Sequence, residues 1–158
     1  TDKYIIVMPP INSETGYRNF KLTVKFGIWN ETAQLGAGFD SSTGFKLPNG
    51  SERAPDLAWI TNERWALISD KDKKRFAPIC PDFIVELRSK SDSLGQLKNK
   101  MEKWVANGCE LAWLIDPLEK QAYVYRPKSE VQEIIGFDNK LRGEDILPGF
   151  ELDLKRLS

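Results

Sequence analysis

The sequence predicts an α/β protein in which helices cover the faces of a mixed β-sheet, and three observations support this fold class. Residues 111–115 are apolar at every position, as expected of a central strand that is buried on both faces. Residues 81–88 form a second strong strand, and a stretch with helical periodicity follows it and ends at Asn107-Gly108. A block of shorter strands lies between an earlier helix and this one, and this order of elements indicates a layered sheet-and-helix architecture.

The N-terminal part begins with a strand and continues as a helix. Residues 4–8 have the composition of a strand that is already under way, and the chain starts without Met, so we expect residues to be missing upstream. Asn12 or Ser13 would cap a helix that runs to about Asn30. The apolar residues that recur at helical spacing, and that predict its buried face, are Phe20, Val24, Gly27 and Ile28.

Further strands and one strong helix follow. Residues 36–47 are rich in turn residues but include a hairpin strand at 44–47, and a turn follows at 48–50. Ser91 or Asp92 would cap the helix that ends at Asn107. The other predicted strands are residues 54–61, 81–88, 111–115, 122–125, 131–135 and 150–154.

Length and composition exclude several classes of function. The 158 residues suffice for one domain with a sizeable core, and we expect a single domain over residues 1–158. Lys plus Arg and Asp plus Glu both number 23, so the net charge is zero, which argues against a simple polycation that binds nucleic acid. The chain has no histidine, which excludes histidine metal ligands, histidine general bases and Ser-His or Cys-His pairs.

The cysteines and the hydropathy predict a cytoplasmic protein that is not embedded in a membrane. Cys80 and Cys109 are too few for a disulfide scaffold, and we expect them to be reduced rather than bridged. No segment approaches the ~20 apolar residues that a membrane-spanning helix requires.

Two other motifs carry less information. Residues 70–75 contain four basic residues, which favours either a solvated loop or a patch that contacts phosphate. Gly36-Ala37-Gly38 resembles the start of a dinucleotide-binding fingerprint, but Ser41 occupies the sixth position and no helix follows. The sequence therefore contains no nucleotide-binding motif.

Two acidic residues lie in apolar strands, where an ionised side chain needs a partner. Strand alternation directs Asp56 away from the face of Leu57, and it places Glu86 on the same face as Arg88. A buried carboxylate without a partner costs free energy or loses its charge. Two explanations for Glu86 remain open. One is an ion pair with Arg88, and the other is a divalent cation held jointly by Asp56 and Glu86.

The next helix carries lysines at the edges of its apolar face. That face is formed by Leu94, Leu97, Met101, Trp104 and Val105. Lys100 lies at one edge, where a lysine usually extends its amine into solvent. If the helix and the Glu86 strand are antiparallel neighbours, Lys100 could instead reach back over the strand. An ammonium there could orient water and offset charge on a phosphodiester.

These residues together resemble the PD-(D/E)XK nuclease superfamily, through Pro55-Asp56 and then Glu86-Leu87-Arg88 in the next strong strand. More narrowly, the chain is similar to a putative restriction endonuclease family, formerly a domain of unknown function, that is abundant in cyanobacteria. The similarity covers most of residues 4–127. The segments that carry it are residues 53–57, 81–89, 100–104, 107–108 and 111–117.

The resemblance implies a restriction-endonuclease-like core, DNA as the substrate and Mg²⁺ as the cofactor, with Mn²⁺ as a substitute. Asp56 and Glu86 would be the metal ligands, and the backbone carbonyl of Leu87 commonly adds a third oxygen in this superfamily. Oxygen ligands without histidine suit Mg²⁺ or Mn²⁺ better than zinc. Many related enzymes cut duplexes as twofold dimers, so the resemblance also implies a homodimer.

The catalytic residues implied by the resemblance include one departure from the superfamily pattern. The lysine expected two residues after Glu86 is Arg88, which could stabilise phosphate charge but could not act as a base. In this branch the lysine lies on the following helix, where Lys100 matches. Glu14, at the start of the first helix, is a candidate for the superfamily's additional acid.

Two hypotheses follow for function. The first is an Mg²⁺-dependent DNA endonuclease that hydrolyses phosphodiester bonds with a metal-bound water, which Lys100 positions while Arg88 steadies the phosphate. The alternative is a catalytically inactive module of nuclease fold that binds DNA or protein, with an internal Glu86–Arg88 ion pair and Lys100 at the surface. A magnesium phosphohydrolase acting on small substrates is disfavoured because no nucleotide-binding motif is present.

Overall fold

A six-stranded mixed β-sheet forms the centre of the protein in a computed structural model that describes residues 10–158. The helices are α1 (Ser13–Ala33), α2 (Asn62–Ala66), α3 (Asp70–Lys73) and α4 (Leu94–Ala106), and a 3₁₀ helix covers Leu154–Leu157. The strands are β1 (Gly36–Phe39), β2 (Phe45–Lys46), β3 (Glu52–Arg53), β4 (Leu57–Thr61), β5 (Phe83–Leu87), β6 (Leu111–Asp116), β7 (Gln121–Tyr125), β8 (Gln132–Ile135), β9 (Lys140–Arg142) and β10 (Glu151–Asp153). The strand predicted at residues 4–8 lies outside the described residues.

The central sheet has the order β1-β4-β5-β6-β7-β8 and confirms the predicted mixed α/β class. Strand β5 pairs in parallel with β6, in a register that runs from Phe83↔Leu111 to Leu87↔Ile115, and it pairs antiparallel with β4. A parallel pair needs a crossover connection, and α4 supplies it. The crossover brings the chain from the carboxyl end of β5 directly into α4.

The two faces of the sheet are covered by different elements. Phe83 and Val85 of β5 face a cluster that includes Leu22 and Phe26 of α1. Ile84, between them in the sequence, faces the opposite cluster, which contains the predicted apolar face of α4. The buried residues of α4 are Leu97, Met101 and Trp104. The end of β5 is therefore within reach of a helix on each face.

The buried face of α1 differs from the predicted one. The helix ends at Ala33, and its buried residues are Thr15, Asn19, Leu22 and Phe26. Phe20 and Ile28, which were expected in the core, are 68 % and 63 % exposed. Helical spacing alone could not select the face, because apolar residues recur on both sides of this helix. The choice is made by packing, in which Phe26 stacks on Phe83 and meets Phe150 edge to face.

Three strands, two short α-helices and the 3₁₀ helix were not predicted. Strand β1 falls in a stretch that was expected to be mostly turns, while β3 and β9 lie between the predicted strands. At Gly36 an added Cβ would lie 2.4 Å from the carbonyl oxygen of Ile60, so β1 approaches β4 too closely for a side chain at this position. The strand thus depends on a glycine, a residue type that in the sequence indicates a turn rather than a strand. Helices α2 and α3 are single turns within segments that were expected to be irregular.

The two cysteines are buried free thiols, which confirms that they are not bridged. Burial raises the pKa of Cys80 to about 12. Among the described residues, no helix combines the length and the apolar content needed to cross a membrane.

Candidate active site

Asp56 and Glu86 meet at the carboxyl end of β5. Asp56 lies immediately before β4, where its backbone N–H donates to the carbonyl oxygen of Val85 at 3.1 Å. The backbone N–H of Leu87 in turn donates to Oδ2 of Asp56 at 2.7 Å. These two bonds fix the Asp56 carboxylate beside the strand that carries Glu86.

Glu86 is 4 % exposed and receives both of its hydrogen bonds at one oxygen. The Nζ atom of Lys100 lies 3.0 Å from Oε1, and Nε1 of Trp104 donates to the same atom at 3.4 Å. Within residues 10–158 no hydrogen bond reaches Oε2. Lys100 therefore reaches back from α4 to the strand, as the sequence allowed, and it is not simply a solvated lysine.

The two carboxyl groups disfavour each other's ionised form. Burial raises the pKa of Glu86 to about 7, because the nearby Lys100 ammonium offsets only part of the lost hydration and the Asp56 charge adds to the increase. Burial also raises the pKa of Asp56, although the Leu87 N–H and the Lys100 charge lower it. A site with two buried acids and one lysine favours additional positive charge.

Arg88 does not pair with Glu86, so the ion pair that was one of the two open explanations for Glu86 is not formed. Its Nη1 atom lies 2.8 Å from Oδ2 of the fully buried Asp116, and its Nε donates to the backbone oxygen of Asp92 at 3.4 Å. The parallel register causes this arrangement, because the Arg88 N–H donates to the carbonyl oxygen of Ile115 and so brings Arg88 next to Asp116. Sequence proximity on one strand had suggested the other partner.

Asn19 is a residue of this site that the sequence did not reveal. It lies on the buried face of α1, is 6 % exposed, and places its amide against Asp56, whose pKa it lowers as a hydrogen-bond donor would. The contact is not a well-formed hydrogen bond, since neither Nδ2 nor Oδ1 has a partner of ordinary geometry among the described residues. The signal that could have found Asn19 is a polar residue on the buried helix face, and the wrong face was predicted.

Other candidates from the sequence are directed elsewhere. Glu14 forms an ion pair of 2.7 Å with Arg18, and its side chain is 59 % exposed. No hydrogen bond or ion pair joins Glu14 to Asp56 or Glu86 within the described residues. Among the basic residues at 70–75, Lys73 lies over the ring of Trp65 and Arg75 pairs with Asp72, and no hydrogen bond or ion pair joins this segment to Asp56 or Glu86 within the described residues.

The donor atoms at this end of the sheet fit a small, hard cation. The described residues contain no group of three or more His, Cys, Asp or Glu side chains placed to hold a metal. A cation here would therefore rely on the two carboxylates and on neutral oxygens. Within residues 10–158 no hydrogen bond reaches Oε2 of Glu86 or the Asn19 amide oxygen, and oxygen donors suit Mg²⁺ or Mn²⁺.

Comparison with known proteins identifies the family of the chain. A family model described as "Uma2: Putative restriction endonuclease" matches residues 2–155. The chain belongs to this family. The match to the Uma2 family confirms the resemblance that the sequence motifs indicated. No curated protein matches the chain.

One of the solved structures compared shows the same fold. The crystal structure of a putative nuclease from Anabaena variabilis superposes with a TM-score of 0.79 at 20 % identity, over 98 % of this chain and 85 % of that one. At this identity the similarity concerns the fold. A DrdV–DNA complex matches with a TM-score of 0.39 at 14 % identity, over 77 % of this chain and 12 % of that one.

Proposed function

We propose that this Uma2-family chain is a metal-dependent endonuclease that hydrolyses phosphodiester bonds of DNA. The observation that carries the proposal is Glu86, a buried carboxylate beside a second acid, with one oxygen on Lys100 and no hydrogen bond to the other from the part of the chain that the structure describes. A structural ion pair would normally use both carboxylate oxygens. The family's description as restriction endonucleases supports DNA as the substrate.

Asp56 and Glu86 would hold Mg²⁺ or Mn²⁺. When bound, the cation supplies a Lewis acid that lowers the pKa of water and neutralises negative charge at the scissile phosphate. Asp56 can act as a ligand without losing its position, because the Leu87 N–H occupies only its Oδ2. The pKa of Glu86, about 7, also implies that a cation must displace a proton from this carboxyl group near neutral pH.

Lys100 and Arg88 would handle the charge of the substrate. The Lys100 ammonium, 3.0 Å from Glu86, is placed to donate hydrogen bonds to a water or a phosphate oxygen beside the carboxylates. Asp116 binds Nη1 of Arg88, and no hydrogen bond from Nη2 is found within residues 10–158. Arg88 can therefore contribute positive charge and one terminal nitrogen to a bound phosphate.

Cleavage of supercoiled plasmid tests the proposal. Purified protein would be assayed with Mg²⁺, with Mn²⁺ and with EDTA, beside the variants Asp56→Asn, Glu86→Gln and Lys100→Met. We expect each variant to lose at least about 100-fold in rate. Lys98→Met is the matched control, because Lys98 lies on the same helix with its ammonium over the ring of Tyr123, 4.5 Å from the ring centroid. It should keep full activity.

The form of the cleaved plasmid, or the absence of cleavage, distinguishes the alternatives. Linear plasmid formed directly would indicate two coordinated sites, as in the predicted homodimer, whereas nicked circles would indicate one site. Cleavage that survives in all three variants would show that the site lies elsewhere. Absence of cleavage with every metal, combined with retention of DNA in a gel shift, would identify the inactive DNA-binding module.

A further inference from the structure

We propose that Asn19 is a cation-positioning residue, whose buried amide lies beside Asp56 and supplies the neutral oxygen that two carboxylates alone lack. The inference rests on the proposed function, because it concerns the same divalent cation. It adds a third oxygen donor beside the two carboxylates, and it assigns a role to a residue outside the motifs that define the site in the sequence.

The Asn19 amide is buried, and among the described residues it has no partner. The residue is 6 % exposed, and both Nδ2 and Oδ1 lack a hydrogen bond of ordinary geometry within the described residues. Buried amides are normally paired, since the loss of hydration is otherwise uncompensated. An amide that is unpaired beside a cluster of acids therefore indicates a ligand that binds at this position.

Asn30, a second asparagine on α1, differs from Asn19 because its amide is paired. Asn30 uses its Oδ1 to accept a hydrogen bond from Nε1 of Trp59 at 3.0 Å, so its amide has a clear structural role. The remaining unpaired buried side-chain atom among the described residues, Nε1 of Trp113, belongs to a side chain packed against the rings of Phe83 and Phe150. Asn19 differs from both because it faces a carboxylate at the candidate site.

The chemistry of the donor set explains why an amide suits this position. Mg²⁺ and Mn²⁺ prefer oxygen ligands, and the described residues offer no third acid, cysteine or histidine in a metal-binding group. A third carboxylate would add repulsion to two acids whose pKa values burial already raises. An amide instead offers an oxygen without charge, while its NH₂ group can donate to Asp56.

Mn²⁺ binding and metal-free stability together test the role. Calorimetric titration with Mn²⁺ and the Tm without metal would be measured for wild type, Asn19→Leu, Asn19→Asp and Asn30→Leu. Asn19→Leu should weaken Mn²⁺ binding by about 10-fold or more, with the metal-free Tm unchanged or higher, because the substitution removes an unsatisfied buried amide. Asn30→Leu should lower the Tm and leave Mn²⁺ binding unchanged, because it orphans Nε1 of Trp59.

Asn19→Asp keeps the test decisive if Asn19→Leu does not fold. It should bind Mn²⁺ more tightly than wild type and should have a lower metal-free Tm, because it places a third acid at the site. A lower metal-free Tm in Asn19→Leu with unchanged Mn²⁺ binding would overturn the inference. If Asp56→Asn lost Mn²⁺ binding while the Asn19 variants kept it at the wild-type level, the inference about Asn19 would be overturned and the proposed function retained. Absence of Mn²⁺ binding in wild type would overturn both the inference and the proposed function.

Discussion

A buried acid lies at each end of β5, and the two acids differ in the number of carboxylate oxygens that have partners. Asp82, just before the strand, is 7 % exposed, with Oδ1 2.9 Å from Nη1 of Arg64 and Oδ2 accepting the backbone N–H of Thr61 at 3.0 Å. Glu86, near the other end, is equally buried but uses only Oε1. The two acids are equally buried but unequally paired. We therefore interpret Asp82 as an acid that stabilises the fold and Glu86 as an acid available for catalysis.

Asp116 extends the comparison to the neighbouring strand. It is fully buried, its Oδ2 meets Arg88 at 2.8 Å, and its Oδ1 accepts the backbone N–H groups of Leu118 and Glu119 at 3.0 and 3.2 Å. Asp82 and Asp116 thus have partners at both oxygens, whereas Glu86 does not. If pairing is the correct criterion, removal of these acids should affect stability in different directions.

The largest effect is expected for Asp116→Ala. The substitution leaves the Arg88 guanidinium, which is only partly exposed, without its carboxylate and frees two N–H groups of the turn, so we expect a loss of about 3 kcal/mol. Urea unfolding of the metal-free protein at pH 7.5 measures it. Glu144→Ala, which breaks an exposed pair with Arg126, is the control and should cost less than about 1 kcal/mol. Equal effects of the two substitutions would contradict the structural role of Asp116.

The next effect compares the two ends of β5 directly. Asp82→Asn should cost about 2 kcal/mol, because it weakens two charge-assisted hydrogen bonds. Glu86→Gln at pH 8 should leave the metal-free stability unchanged or raise it, because the ionised Glu86 is incompletely compensated. Both are measured by urea unfolding in EDTA. A comparable loss in Glu86→Gln would show that Glu86 is also a structural acid.

The last prediction is a pH dependence that originates from Glu86. Its pKa is about 7 in the folded protein against an ordinary value of 4.5, so the folded state holds this proton more tightly than the unfolded state does. Its contribution to stability is therefore complete below pH 4.5 and is lost as the pH rises through 7, at about 1.4 kcal/mol per pH unit in between.

The measurement is the difference between wild type and Glu86→Gln in urea unfolding from pH 5 to pH 8 without metal. Acids that do not interact with Glu86 cancel in this difference, which should change steadily from pH 5 to about pH 7 and then level off. A difference that does not vary with pH would show that the pKa of Glu86 is not raised.

Much of the site could be predicted because its residues occupy positions with a strong local signal. Asp56 and Glu86 interrupt apolar strands, and the edge position of Lys100 follows from the apolar face of α4. The partner of Arg88 could not be found in this way, because Asp116 lies 28 positions further along the chain and reaches Arg88 only through the parallel register. The catalytic roles of all four predicted residues remain predictions.

The same distinction holds for the fold. Strands β5, β6 and β7 and helix α4 have continuous or strictly periodic apolar patterns, and the predictions for them are confirmed within a few residues. Helix α1 was predicted with the wrong buried face, because its two apolar stripes differ little in composition. Strand β1 was missed because Gly36 is needed for the close approach to β4, which no local signal reports.

The sequence by itself determined the fold class, the strands that carry the acids, and the absence of any histidine-based chemistry. These features depend on side-chain type and on periodicities of two and 3.6 residues, which are local properties. Only the tertiary structure decided which acids are fully paired and which are not, and it alone brought Asn19 to Asp56. Pairing depends on register and on helix docking across distant segments, and burial makes each unpaired atom energetically costly.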